Sequence, residues 1–133
     1  MRNIAFSLTT PQFRDRTKTV TRRNGWLWLV EQNPTPEAPV PLMGIVKGMG
    51  LKRGERVERL GPIAVTSATR ETLRRMLDDE AYGRSEVVRE GFPHLTPAEF
   101  VAFYCRHNRI TPDVEVTRIE FLYRSEHQAN DAR

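Results

Sequence analysis

Four prolines, Pro34, Pro36, Pro39 and Pro41, fall within eight residues and deny the middle of this chain a helix or a central strand. Each removes a backbone donor and pushes the residue before it out of the helical region. Gln32 to Pro41 therefore reads as an extended surface loop. The run Gly48-Met49-Gly50-Leu51-Lys52-Arg53-Gly54 prolongs it, so residues 32–54 read as a Pro/Gly-rich loop insertion. A phosphate-cradling loop is one reading of the glycines, but the terminal Lys-Ser/Thr of a P-loop is absent. A tight turn entering the next strand is the plainer reading.

The segments on either side carry ordinary periodicities. Ile4, Phe6 and Leu8 alternate as in a half-buried strand, and Thr10 followed by Pro11 reads as a helix start. Trp26 to Val30 reads as a short strand with Trp26 and Trp28 on one face. Beyond the loop, Glu55 to Leu60 and Ile63 to Ser67 read as two strands joined by Gly61-Pro62. Arg70 to Asp78 reads as a helix with Leu73, Met76 and Leu77 on its apolar stripe and a solvated face that includes Arg70, Arg74 and Arg75. Ser85 caps a short helix that stops at Gly91. Thr96-Pro97-Ala98-Glu99 combines an N-cap, a first-turn proline and a capping box. It opens a helix to about His107 that buries Phe100, Phe103 and Tyr104. Glu115 to Tyr123 reads as the last strand, and residues 125–133 as a polar, flexible tail.

A chain of 133 residues suits one domain, here residues 1–124. The order of elements lacks a βαβ alternation. An α+β fold follows, a small, mostly antiparallel β-barrel with flanking helices.

Lys and Arg exceed Asp and Glu by 21 to 17, which is compatible with a polyanionic partner such as RNA or DNA. Cys105 is alone, so no internal disulfide forms, and within its helix it reads as a small buried hydrophobe. His94, His107 and His127 follow no metal-ligand spacing, and no Gly-x-Ser-x-Gly elbow occurs. Neither a cofactor nor a metal is expected. No apolar run nears the ~18 residues of a membrane span and no signal peptide is evident, so a reduced cytoplasmic setting is expected.

The chemistry concentrates at Lys18-Thr19-Val20-Thr21-Arg22-Arg23. A lysine neutralises an anion, or acts as a base once burial lowers its pKa, and a threonine becomes a nucleophile when a base takes its proton. In a regular strand Lys18 and Thr21 point to opposite faces, so a catalytic role requires the backbone to bend between them. A solvated basic edge strand is the alternative. Glu90 ends a helix where a carboxylate opposes the helix dipole, which hints at a role beyond helix stability. A plain salt bridge to a nearby Arg stands beside that reading.

These residues, together with Lys52-Arg53-Gly54-Glu55 entering a strand, Glu90-Gly91-Phe92, the helix with Phe100 and Phe103, and Val116-Thr117-Arg118-Ile119-Glu120-Phe121, resemble the ASCH family of the PUA-like superfamily. The resemblance extends to about Tyr123. It implies a PUA-like barrel whose cleft binds RNA, a nucleotide or a modified nucleoside, with Lys18, Arg22, Arg23, Lys52, Arg53 and Trp26 as contacts. One ASCH subgroup removes the acyl group from acetylated cytidine with a Lys, a Thr and a Glu, which match Lys18, Thr21 and Glu90. The chain departs from the family pattern at Arg16, where a Gly often precedes the Lys by two residues, and in the long segment from Trp26 to Val46. Binding of RNA or a nucleotide is thus the leading expectation. An amidohydrolase or RNA-cleaving hydrolase is the alternative, and a protein-interaction module with an inactive cleft the third.

Overall fold

The computed structural model describes residues 1–126 and is α+β. Five strands form one mixed sheet in the order β1 (Arg2–Ala5), β3 (Val40–Ile45), β4 (Arg59–Thr72), β5 (Glu115–Tyr123), β2 (Val20–Arg23). Only β1 and β3 run parallel; the other neighbours are antiparallel. The sheet curls into a half-barrel, with helices α1 (Thr10–Arg14), α2 (Leu27–Glu31), α3 (Arg74–Asp78), α4 (Glu80–Arg89) and α5 (Pro97–Asn108) around it.

The proline argument fails at its downstream end. Val40–Ile45 is not loop but an inner strand between β1 and β4, so the 32–54 segment contributes to the sheet. Pro41 is tolerated because β1 begins opposite Leu42, which leaves β3 with a neighbour on one side only at the proline. Pro62 repeats the device. It lies inside β4, beyond the last β5 partner, Tyr123 opposite Ile63. Gly61-Pro62 therefore does not divide two strands; a single strand of 14 residues, Arg59–Thr72, runs through them and on past Arg70. Its ladder shifts register between Val65 and Ser67, a bulge that bends the strand and helps the sheet curl.

Three helices also differ from their sequence patterns. Trp26–Val30 is largely α2, not a strand, entered through Trp26 in the left-handed region (φ 61°). The helix expected from Arg70 is only α3, and Arg70 itself lies in β4, half-buried, bonding Thr117 Oγ1 and the Gly25 carbonyl. Ser85 is interior to α4; Asp79 is the N-cap, its side chain accepting from the Tyr82 amide. The Thr96–Glu99 capping box, the helix it opens and the Glu115–Tyr123 strand all form as their residues dictate. The glycine run is a turn, with Gly50 and Gly54 at positive φ. The expected tail falls, from residue 127, outside the described residues, as does His127.

Two cores result. Ile4, Phe6, Phe13, Leu42, Ile63, Val65, Ile119 and Phe121 fill the first, against the sheet, while Leu73, Met76, Val87, Phe100, Val101, Tyr104 and Val116 join the helices in the second. Gly44 and Gly61 face each other across β3 and β4 and leave a notch for Phe13. A Cβ on Gly44 would lie 2.6 Å from the Phe13 ring. Phe13 has no room to yield, being packed against Phe6 and Tyr123 at centroid distances of 4.8 and 4.9 Å. Gly44→Ala should therefore lower the unfolding free energy by about 1–3 kcal/mol, the usual penalty of overpacking, as read by urea denaturation.

Candidate active site

The ends of the curled sheet do not pair with each other, and the opening between them is the site. Ala5 to Thr9, at and beyond the end of β1, form one bank; Lys18 and Thr21 to Arg23 form the other. Glu90 and Phe92 after α4, and Phe100, Phe103, Tyr104, His107 and Asn108 on α5, complete a cleft of about 180 Å³. The two cores meet here, since Phe6 belongs to the first and Phe100 and Tyr104 to the second.

Lys18 precedes β2 rather than lying in it, which supplies the bend that a shared site requires. After α1 the chain turns at Arg16 (φ 63°), and the amides of Thr17 and Lys18 both donate to the Gln12 carbonyl. The Tyr123 hydroxyl donates to the Lys18 carbonyl, and the Thr19 amide to the Arg89 carbonyl at 2.8 Å. Gln12 Nε2 also donates to the Gly91 carbonyl at 3.2 Å, tying the Lys18 turn to the end of α4. Gly91 (φ 97°) lets that end approach; a Cβ there would lie 2.9 Å from Gln12. Lys18, Thr21 and Glu90 are thereby brought to one cleft.

All three are buried, at 2%, 3% and 3% exposure, so the solvated edge strand is excluded. Lys18 Nζ donates to Glu90 Oε1 and to the Glu90 carbonyl, both at 2.8 Å. Burial pushes the lysine pKa below 10.5, opposed by the charge and hydrogen bond of Glu90. Arg23 Nε donates to Thr21 Oγ1 at 3.1 Å.

Arg22 has a different place from the one its sequence suggests. Its side chain is wholly buried, and its terminal nitrogens bond Glu90 Oε2 at 3.0 Å, Glu71 Oε2 at 2.8 Å and Glu86 Oε1 at 2.5 Å. Arg118, directly opposite Arg22 across β2 and β5, shares Glu86 at 2.5 Å. Like charges facing each other in a sheet repel, and Glu86 between them removes the repulsion. Burial alone would raise the Glu86 pKa, but hydrogen bonds and charge from Arg118 and Arg22 outweigh it and bring it from 4.5 to about 2. Burial weakens both guanidinium cations, yet the carboxylates around them raise their pKa values above the ordinary one.

The remaining expected contacts are not gathered here. Lys52 and Arg53 are exposed in the β3–β4 connection, and Trp26 packs beside Trp28 with ring centroids 5.7 Å apart. None of the three lines the cleft. Glu71, Glu86, Arg118 and Tyr104 are not among the expected site residues. Glu86 and Glu90 stand four residues apart, one helical face, and that spacing was the available signal. Nothing local marks Glu71, Arg118 or Tyr104.

The Glu86 carboxylate has a thermodynamic consequence. Its folded pKa lies below the ordinary one, so its contribution is complete above pH 4.5 and is lost as pH falls through about 2. Urea denaturation across this range should show stability falling with acidity, and Glu86→Gln should flatten that slope while lowering stability at neutral pH.

No family model matches the sequence, and no curated protein does. Among solved structures the chain is similar to the crystal structure of protein EF3133 from Enterococcus faecalis V583, of the family model DUF984. The TM-score is 0.53 at 15% identity, over 96% of this chain and 73% of that one. The likeness shows a shared fold.

Proposed function

We propose that the cleft binds a small acylated nucleoside and hydrolyses its amide, with Thr21 as nucleophile, Lys18 as the base that also returns the proton, and Glu90 as the group that orients Lys18. The observation that carries this reading is a buried lysine, hydrogen-bonded to a buried glutamate, in the same cleft as a buried threonine. The resemblance to the ASCH deacylating subgroup names the same three residues. Arg16 supports it further, because a position where the family often has Gly here adopts a left-handed backbone.

In the proposed reaction neutral Lys18 takes the Thr21 proton as Oγ attacks the amide carbonyl carbon. Arg23, donating to that oxygen, stabilises its developing negative charge. The C–N bond breaks as the amine takes a proton from Lys18, leaving an acyl ester on Thr21. Water, deprotonated by the same lysine, then releases the carboxylic acid and restores the threonine.

Size and charge favour this over binding of a strand. A cleft of about 180 Å³ is small beside the ~300–1,000 Å³ of drug-sized sites, and suits a base or a nucleoside. Arg22 spends its charge on three carboxylates, and Lys52 and Arg53 lie elsewhere, so the anchors expected for an RNA backbone are dispersed. Recognition of a nucleotide without turnover is the second reading, and it keeps the same cleft.

Lys18→Ala and Thr21→Ala should each lower kcat/KM on acetylated cytidine by about a thousandfold or more while the far-ultraviolet spectrum is retained. Absence of turnover by the unaltered protein on acetylated nucleosides would remove the hydrolase. Lys18 serves as base only when neutral, so the rate should rise with pH and level off below pH 10.5, the ordinary lysine value.

A further inference from the structure

The ionic groups around the cleft are paired, with one exception. Lys18 has Glu90; Arg22 has Glu71, Glu86 and Glu90; Arg118 has Glu86 and Glu120; Arg89 has Glu120. Arg23 has no carboxylate at ion-pair distance among the described residues, although it lines the same cleft. Its Nε is committed to Thr21, and its guanidinium carbon stands 5.0 Å from the centroid of the buried Phe6 ring. These contacts hold the plane of the group and leave both terminal nitrogens without a hydrogen-bond partner among the described residues. A guanidinium in that state offers the two-pronged face that carboxylates and phosphates take. Burial lowers its pKa to about 10, so it remains a cation at neutral pH.

A second, independent group points the same way. Only two buried side-chain polar atoms lack a hydrogen-bond partner among the described residues, Tyr104 Oη and Arg22 Nε, and both residues line this cleft. Tyr104 is 8% exposed. Burial, then the charge of Glu90, raises its pKa against the opposing pull of Arg23 and Arg22, so the hydroxyl keeps its proton and can donate. Buried hydroxyls in folded proteins nearly always have a partner, and one left open beside an unpaired cation calls for an acceptor from outside the chain.

We propose that Arg23 and Tyr104 form a subsite for an anionic oxygen group, a carboxylate or a phosphate, carried by the molecule that occupies the cleft. Glu90 does not repel such a group strongly, because Arg22, a cation whatever the state of Lys18, is paired with it at 3.0 Å. The subsite shares the cleft and Arg23 with the hydrolase reading, Nε serving Thr21 and the terminal nitrogens the anion, while Tyr104 has no part in the proposed hydrolysis. If both hold, the preferred substrate is an acylated molecule that also bears an acid, such as a nucleoside phosphate, rather than a neutral nucleoside.

The test is titration of the full chain with inorganic phosphate and, separately, with acetate at constant ionic strength, followed by amide and side-chain NMR shifts. Saturable shifts at Arg23 and Tyr104 are expected with at least one anion; which one binds distinguishes phosphate from carboxylate. Arg23→Gln should weaken that binding about tenfold or more and Tyr104→Phe about threefold or more, whereas Lys52→Gln should leave it unchanged. Should Arg23→Gln not fold, Tyr104→Phe, which removes a single oxygen, decides alone. Failure of both anions to saturate, or wild-type affinity in the folded variants, overturns the subsite. Turnover of acetylated cytidine is read separately, so loss of the hydrolase and loss of the subsite are distinct results.

Discussion

The carboxylate of Glu90 accepts Lys18 from one side and Arg22 from the other, and most of the site depends on that double contact. It draws the end of α4 onto β2 and onto the turn before it, 68 and 72 residues away in the chain. Through Arg22 the contact continues to Glu86, and from Glu86 to Arg118 on β5. Each ion taken from water loses several kcal/mol of hydration, recovered only when its hydrogen bonds are made in good geometry. Apolar side chains of the same volume would hold α4 to the sheet as well or better. The cluster is therefore weak as an explanation of stability and stronger as a sign that charge is needed where the sheet opens.

The placement of that opening follows from the sheet. A half-barrel leaves its two edge strands unjoined, and here the gap is filled by side chains and by α5 rather than by another strand. Lys18 reaches the gap because the chain before β2 is turned, and Thr21 because it lies within β2. The same arrangement separates neighbours in the sequence. Arg22 is taken into the carboxylate network, while Arg23, one residue on, keeps its terminal nitrogens open to the cleft. Two adjacent arginines thus have different surroundings, one holding Glu90 and the other keeping its terminal nitrogens toward the cleft.

How much of this was legible depended on whether a signal was local. The capping box at Thr96 and the alternating strand from Glu115 carry their own instructions within a few residues, and both form as read. Pro41 and Pro62 misled because a missing donor matters only where a neighbouring strand would use it, and β1 and β5 do not extend that far. Trp26 to Val30 has strand-forming residues, yet Trp26 turns left-handed and the segment packs as α2 over the sheet, a tertiary override of local preference. In the cleft, Lys18, Thr21 and Glu90 stood out by residue type and by the family resemblance, but their convergence depends on a bend before β2 that the pattern does not record. Tyr104 was readable only as a core aromatic, since nothing in a helix pattern shows that its hydroxyl finds no partner.

The sequence by itself determined the ingredients: a basic, hydroxyl-rich run after a short helix, a carboxylate at a helix end closed by glycine, and enough strand and helix signals for an α+β fold. Only the tertiary structure decided which charges are spent and which remain available. An arginine and a glutamate have fixed chemistry, but whether they form a buried pair or meet a ligand depends on partners brought from distant parts of the chain and on how much water is excluded around them. Strand alternation puts Arg22 and Arg23 on opposite faces of β2; only the fold shows that one meets Glu71 and Glu86 and the other Thr21 and Phe6.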